Sequence, residues 1–408
     1  MRFGFVLHGS RGDVQPGVAL GAALARAGHQ VTVAVPANLA DAVARTGITT
    51  RILCPSTDEL LADEVIKVRL KSRRPLVRMR ALREVGAYGV QDSERVMGEL
   101  ADKSDVLISG LLAQERAATI AESRGIAFHP LHYCPVRPNS VVNPTPWPLP
   151  PMFNRAVWSL ADRVYWHSVR TRDRALRHEL GLPPAKGPLG TRLTRLHSAE
   201  IQAYDPVFFP GLATQWGHQR PFTGFLVPDT VTLAALNGTA DATDEALTWA
   251  RSATPPVYLG FGSMPVAGVR IAEIADILVA LGHRVIAHTS ATLTPTDDVY
   301  QIRGPIDHAA LLPACSGAVH HGGAGTTAAA ARAGIPMVIG WLSADQPMWG
   351  RAIHRRGAGT TARLSHLGRS HLEALGSREV VCAAQQLATL ISTPDAAAAA
   401  AYRYLTPS

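Results

Sequence analysis

The sequence predicts an α/β protein built as two doubly wound domains that face each other across a cleft. Three observations carry that expectation. The chain has 408 residues, more than one ordinary core accommodates and suited to two domains of roughly 150–200 residues each. Short apolar runs alternate with helical stretches in both halves, as in parallel sheets with crossover helices. Polar, glycine-containing turns follow several of the strands, at the carboxyl edge where open α/β sheets bind ligands.

In the first half, Phe3 to Leu7 is a continuous apolar run, the mark of a buried parallel strand. A polar turn spans His8 to Gln15, and Pro16 suits the first position of a helix, where its missing N–H costs nothing. That helix is expected to reach about Ala27 and stop at Gly28, with Gln30 to Val35 as the next strand. Asp105 to Ser109 reads as a strand, Gln114 to Arg124 as a helix and Ile126 to His132 as a strand. The proline-rich stretch Tyr133 to Phe153 is expected to be irregular and to shape a substrate pocket, with Trp147, Met152 and Phe153 as its apolar surface. The linker is placed near Val227, giving domains 1–226 and 227–385.

The second half repeats the alternation. Strands are expected at Val257 to Phe261, Val285 to Thr289, Val299 to Arg303, Ala318 to His321 and Pro336 to Gly340. Helices are expected at Ile271 to Leu281, His308 to Ala314, Thr326 to Ala333 and Val380 to Ile391.

Composition narrows the class. Apolar residues make up 47% and charged residues 18%, a folded rather than a disordered composition. The net charge of +8 is almost entirely arginine, the only lysines being Lys67, Lys71, Lys103 and Lys186. This is either genomic bias or a field that draws anions. No nucleic-acid module is present, and the densest basic stretch, Lys67 to Arg83, has the spacing of an amphipathic helix's polar face. Cys54, Cys134, Cys315 and Cys382 are far apart with no C-x-x-C pair, against a zinc site or disulfide framework. With no signal peptide and no apolar run of about 18 residues, a cytoplasmic protein is expected.

Four constellations carry chemistry. His320-His321-Gly322-Gly323-Ala324-Gly325-Thr326-Thr327 follows a strand and opens a helix, so backbone N–H groups and the helix terminus form an anion site. It lacks the G-K-[ST] ending of a P-loop. Gly260-Phe261-Gly262-Ser263 is either a tight turn or a phosphate contact through Ser263. Asp345-Gln346 is either an N-cap or a pair that holds sugar hydroxyls. Gly9-Ser10-Arg11-Gly12-Asp13 either caps a helix, with Arg11 paired to Asp13, or turns Asp13 to the cleft as a general base. All four suit one ligand shared between the two sheet edges.

Gly9 to Pro16, the His-His-Gly-Gly-Ala-Gly-Thr run and the Asp-Gln pair, in this order and separation, resemble the UDP-glycosyltransferase superfamily. Within it they look most like bacterial enzymes that glycosylate antibiotics, glycopeptidolipids and related natural products, and like sterol glucosyltransferases. The resemblance implies the GT-B architecture of two Rossmann-like domains, with 386–408 as a C-terminal helix crossing back to the first. It implies Asp13 as the base and Ser10 and Arg11 near the donor diphosphate. Ser263, His321 and the turn Gly322, Gly323, Ala324, Gly325 and Thr326 would lie on the phosphates, and Asp345 and Gln346 on the sugar. The family's ribose-binding Glu is replaced by Ala329, which leaves UDP or TDP open.

The expected reaction is an inverting, metal-independent transfer to a hydroxyl of a hydrophobic small molecule, with a nucleotide sugar as co-substrate and no bound cofactor. His8 is a rival base or acceptor contact, and His132, Trp147 and Phe153 are further acceptor-binding candidates. A sterol or glycolipid acceptor, or a nucleotide-sugar epimerase or hydrolase on the same fold, is the alternative. A dinucleotide oxidoreductase is disfavoured because the first loop lacks G-x-G-x-x-G.

Overall fold

In the computed structural model, which describes residues 1–56, 89–145, 147, 149–262, 268–294 and 296–406, each half is built on one six-stranded parallel sheet. The first sheet has β1 (Arg2–Val6), β2 (Gln30–Pro36), β3 (Thr49–Cys54), β4 (Val106–Gly110), β5 (Ala127–His132) and β6 (Ile201–Gln202), in the order β3-β2-β1-β4-β5-β6. The second has β7 (Val257–Gly262), β8 (Val285–Thr289), β9 (Val299–Ile302), β10 (Gly317–His320), β11 (Met337–Trp341) and β12 (Gly359–Arg363), in the order β12-β11-β10-β7-β8-β9. Both sheets therefore reverse their winding once, between β1 and β4 and between β7 and β10. Ligands of open α/β sheets bind outside the strand ends at such reversals. The polar turns after β1 and β10 are at those two points.

The helices used below are α1 (Arg11–Arg26), α2 (Gln114–Arg124), α3 (Pro151–Glu179), α4 (Thr230–Asn237), α5 (Ala324–Ala333), α6 (Gln346–Arg355), α7 (Arg378–Ala388) and α8 (Pro394–Leu405). Three differ from the sequence reading. Helix α1 starts at Arg11 and not at Pro16, because Ser10 and Asp13 cap it; Pro16 sits inside, in the second turn. Helix α3 runs for 29 residues from the end of the proline-rich stretch, with Pro151 at its first position. The crossing to the first half is made by α8, a separate helix that begins after the cap Thr393, whereas α7 stays packed on the second half.

Two sets of contacts among the described residues help tie the halves. Ala397, Ala401 and Leu405 of α8 are buried with Phe3, Leu20 and Leu24 of the first half, and His29 Nε2 lies 3.1 Å from the Tyr402 hydroxyl. Arg332 at the end of α5 donates to the carbonyls of Ser392 and Phe225 at 3.2 and 3.0 Å. Second, Trp349 of α6 is fully buried among Tyr204, Phe208, Phe209 and Phe225, ring centroids 5.3–5.9 Å apart. This aromatic cluster fixes the helix that carries Asp345.

Candidate active site

The turn after β1 folds back on its own helix. Gly9 has φ +124°, and a Cβ there would lie 2.5 Å from Asp13 Oδ2, so only glycine permits the approach. Asp13, at the third position of α1, accepts the backbone N–H and the hydroxyl of Ser10, each at 2.8 Å. This is a capping box with a short acid. Arg11 does not pair with Asp13. It donates to Asn237 at the end of α4, and burial holds its pKa below the ordinary value against the opposing charge of Asp241. Its positive charge adds to burial in lowering the pKa of His288 and His308 in the second half.

His8 stands beside Asp13. Burial and the charge of Arg116 lower its pKa, with Asp13 opposing. Its Nδ1 has no hydrogen-bond partner among the described residues.

The acceptor candidates fare differently. His132 does not line a pocket. It is fully buried, its Nε2 3.0 Å from Gln114 Oε1 and its Nδ1 3.3 Å from Gln202 Nε2. Both ring nitrogens are therefore used in a polar layer under the loop, which also holds the buried ion pair of Arg137 and Glu200 at 2.5 Å. Trp147 and Phe153 are 71% and 49% exposed. Trp158 of α3 is a buried aromatic beside this stretch, its indole N–H donating to the Val142 carbonyl at 2.8 Å. The sequence also reads Thr57 to Val85 as a variable loop of the acceptor pocket; that segment, with the basic stretch Lys67 to Arg83, lies outside the described residues, as does Ser263.

In the second half, His321 leads into α5. A Cβ on Gly323, the N-cap of α5, would stand 2.6 Å from His321 Nε2, so the imidazole lies directly over the helix entry. The first backbone hydrogen bond of the helix is Thr327 N–H to the Gly323 carbonyl, which leaves the N–H groups of Ala324, Gly325 and Thr326 for a ligand. A Cβ on Gly325 would meet nothing within 4 Å among the described residues. Packing does not require glycine there, and the open space would admit the close approach of a ligand. Burial lowers the pKa of His321, opposed by the Gly260 backbone. His320 is a structural partner: its Nδ1 accepts the Gly322 N–H at 3.1 Å, and burial, with the nearby His321 and His308, pushes its pKa down to about 3.

Asp345 is at the N-cap of α6 but makes no side-chain cap. Its Oδ2 accepts the indole N–H of Trp349 at 3.0 Å. Burial raises its pKa, Trp349 opposes, and the charge of Asp13 raises it further. Gln346 is 5% exposed, and its Oε1 accepts the N–H groups of Leu342 and Ser343 at 2.8 and 3.2 Å. Its carbonyl is thereby used, and its amide N–H₂ remains as a donor. The turn it closes holds Ala344 at φ +58°.

Four features escaped the sequence reading: Tyr133, Arg116, Asn237 and a buried chain in which Tyr258 Oη lies 2.9 Å from His308 Nε2 and 3.3 Å from His288 Nδ1. His288 and Tyr133 follow the rule that strand ends at the carboxyl edge carry function, which is the one signal by which they were findable.

Comparison with known proteins agrees with this geometry. Residues 3–91 match the glycosyltransferase family 28 N-terminal domain, and residues 272–399 match the erythromycin biosynthesis protein CIII-like C-terminal domain. An uncharacterized glycosyltransferase of Mycobacterium tuberculosis is 36% identical over 411 residues, covering 98% of this chain and 97% of the relative. Among solved structures, the glycosyltransferase of kitacinnamycin superposes with a TM-score of 0.69 at 18% identity, covering 99% of this chain and 98% of that one. The glycosyltransferase VinC, solved with DTDP, gives 0.67 at 18% identity, covering 99% and 100%. The chain is a glycosyltransferase of the GT-B fold and belongs to the UDP-glycosyltransferase superfamily.

Proposed function

We propose that the protein transfers a hexose from a UDP- or TDP-sugar to a hydroxyl of a hydrophobic natural product, with inversion and without a metal ion. The observation that carries this reading is the pairing of Asp13 in the first half with the His321–α5 entry and Asp345–Gln346 in the second. A proton acceptor on one wall faces an anion cradle and sugar ligands on the other. The complex of VinC with DTDP supports a nucleoside diphosphate in that cradle.

In the proposed reaction the acceptor hydroxyl gives its proton to Asp13 as its oxygen bonds to the anomeric carbon. The bond from that carbon to the diphosphate breaks on the opposite face, and the diphosphate leaves with the electron pair. The departing charge meets His321, the free N–H groups at the start of α5 and Arg11, which act as preorganised donors and cations. A carboxylate base contributes roughly 10²–10⁴-fold. Asp13→Asn is expected to lose at least about 10²-fold in transfer while binding UDP or TDP as the wild type does. Near-native turnover by that variant overturns the assignment. Loss of activity with a chelator, restored by Mg²⁺, overturns the metal-free reaction.

A further inference from the structure

Beside Asp13, two buried polar atoms have no hydrogen-bond partner among the described residues: His8 Nδ1 and the Tyr133 hydroxyl. They follow strands on either side of β4, at the same edge of the sheet. His8 is two residues past Val6, which pairs with Ser109; the next residue, Gly110, pairs with Leu131, two before Tyr133. A Cβ on Gly110 would lie 3.3 Å from the Tyr133 oxygen. The charge of Asp13 acts on both side chains. Buried polar groups without partners are rare in folded proteins, and each calls for an explanation such as a ligand.

We propose that His8 and Tyr133 bind a second hydroxyl of the acceptor, next to the one that reacts, so that the substrate class is a sugar ring or polyol on a hydrophobic body and not an isolated alcohol such as a sterol. This rests on the transfer reading above. Asp13 is engaged by the reacting hydroxyl, and an acceptor with one hydroxyl leaves His8 and Tyr133 unpaired. A tyrosine hydroxyl both donates and accepts, and a neutral imidazole nitrogen does one or the other according to tautomer. A hydroxyl satisfies either arrangement, whereas a carbonyl only accepts. Sites built to hydrogen-bond a substrate group discriminate strongly against analogues that lack it.

The test measures binding, so its result does not depend on catalysis. Octyl glucoside, below its micellar concentration, and 4-octylcyclohexanol are titrated into the full-length protein by calorimetry. Wild type is expected to bind the glucoside about tenfold tighter or more. Tyr133→Phe is expected to bring the ratio close to one without lowering Tm, since the removed hydroxyl has no partner to lose. Equal binding of the two compounds by wild type, binding of neither, or an unchanged ratio in Tyr133→Phe overturns the proposal. Asp13→Asn separates the two readings: it is expected to keep the glucoside preference and lose transfer. Retained transfer in that variant counts against the base assignment and leaves the binding ratio to judge the hydroxyl site.

Discussion

Burial raises the pKa of Asp345 in the second half, and the charge of Asp13 in the first half raises it further. The two halves thus set two carboxylates within electrostatic reach, Asp13 as the proposed base and Asp345 as a proposed sugar ligand. Trp349 offsets part of this cost with its indole N–H, and the aromatic cluster around Trp349 holds the geometry.

The raised pKa of buried Asp345 makes stability depend on pH. The folded-state pKa of Asp345 is raised, so the folded protein holds its proton to higher pH than the unfolded chain. Stability then falls as pH rises from the unfolded value through the raised one, and the deficit is full above it. Asp345→Asn keeps an oxygen for Trp349 and removes the charge. It is expected to melt above wild type at pH 7, the difference closing toward pH 4, while its donor KM rises. An Asn variant less stable at pH 7 than wild type would show that the ionised carboxylate is net favourable.

Ser10 fixes the orientation of Asp13 through two hydrogen bonds of 2.8 Å. Ser10→Ala removes the hydroxyl and keeps the backbone N–H. The lost cap is expected to cost about 1 kcal/mol, read as a lower denaturation midpoint. Transfer should fall through kcat, with donor affinity little changed. A variant with full kcat would mean that the backbone contact alone orients the base.

How much of this was legible beforehand differs between parts. Strands such as Val285–Thr289, bounded as expected, are visible because a strand buried on both faces is a continuous apolar run. The start of α1 was misplaced because proline at a helix start is a strong local signal, and here the capping box overrode it. Helix α3 was not foreseen because its sequence is arginine-rich and much of its length is exposed, so no apolar face marks it. The glycine turn after His321 could be read because backbone freedom has a residue signature. The contacts of Arg11 with Asn237 and the spare hydroxyl of Tyr133 join residues distant in sequence, and no local pattern encodes them.

The two glycines at the start of α5 separate packing from binding. Gly323→Ala places a Cβ against His321 Nε2, so it should displace the imidazole and weaken UDP or TDP binding by tenfold or so, since a charge-assisted hydrogen bond is worth about 1.5–3 kcal/mol. The Cβ of Gly325→Ala meets no neighbour among the described residues. The variant should leave Tm unchanged or raise it slightly, because alanine is the better helix former, and still weaken nucleotide binding. Unaltered nucleotide affinity in both variants would place the diphosphate elsewhere.

Gln346 and Ala344 form one unit, and three variants take it apart. The Gln346 carbonyl holds the 342–343 backbone and leaves only its amide to donate. Gln346→Glu retains an acceptor for Leu342 and Ser343 but has no N–H to give. Its Tm should stay near that of wild type, while the donor KM rises about tenfold, the usual effect of one buried hydrogen bond lost. Gln346→Ala forfeits both roles and should lower Tm as well. Ala344→Gly relieves the left-handed backbone at φ +58°, which costs a non-glycine residue about 1 kcal/mol, and should raise Tm with the donor KM unchanged. If Gln346→Glu instead binds donor normally, the sugar is held by Asp345 alone and the glutamine serves only the turn.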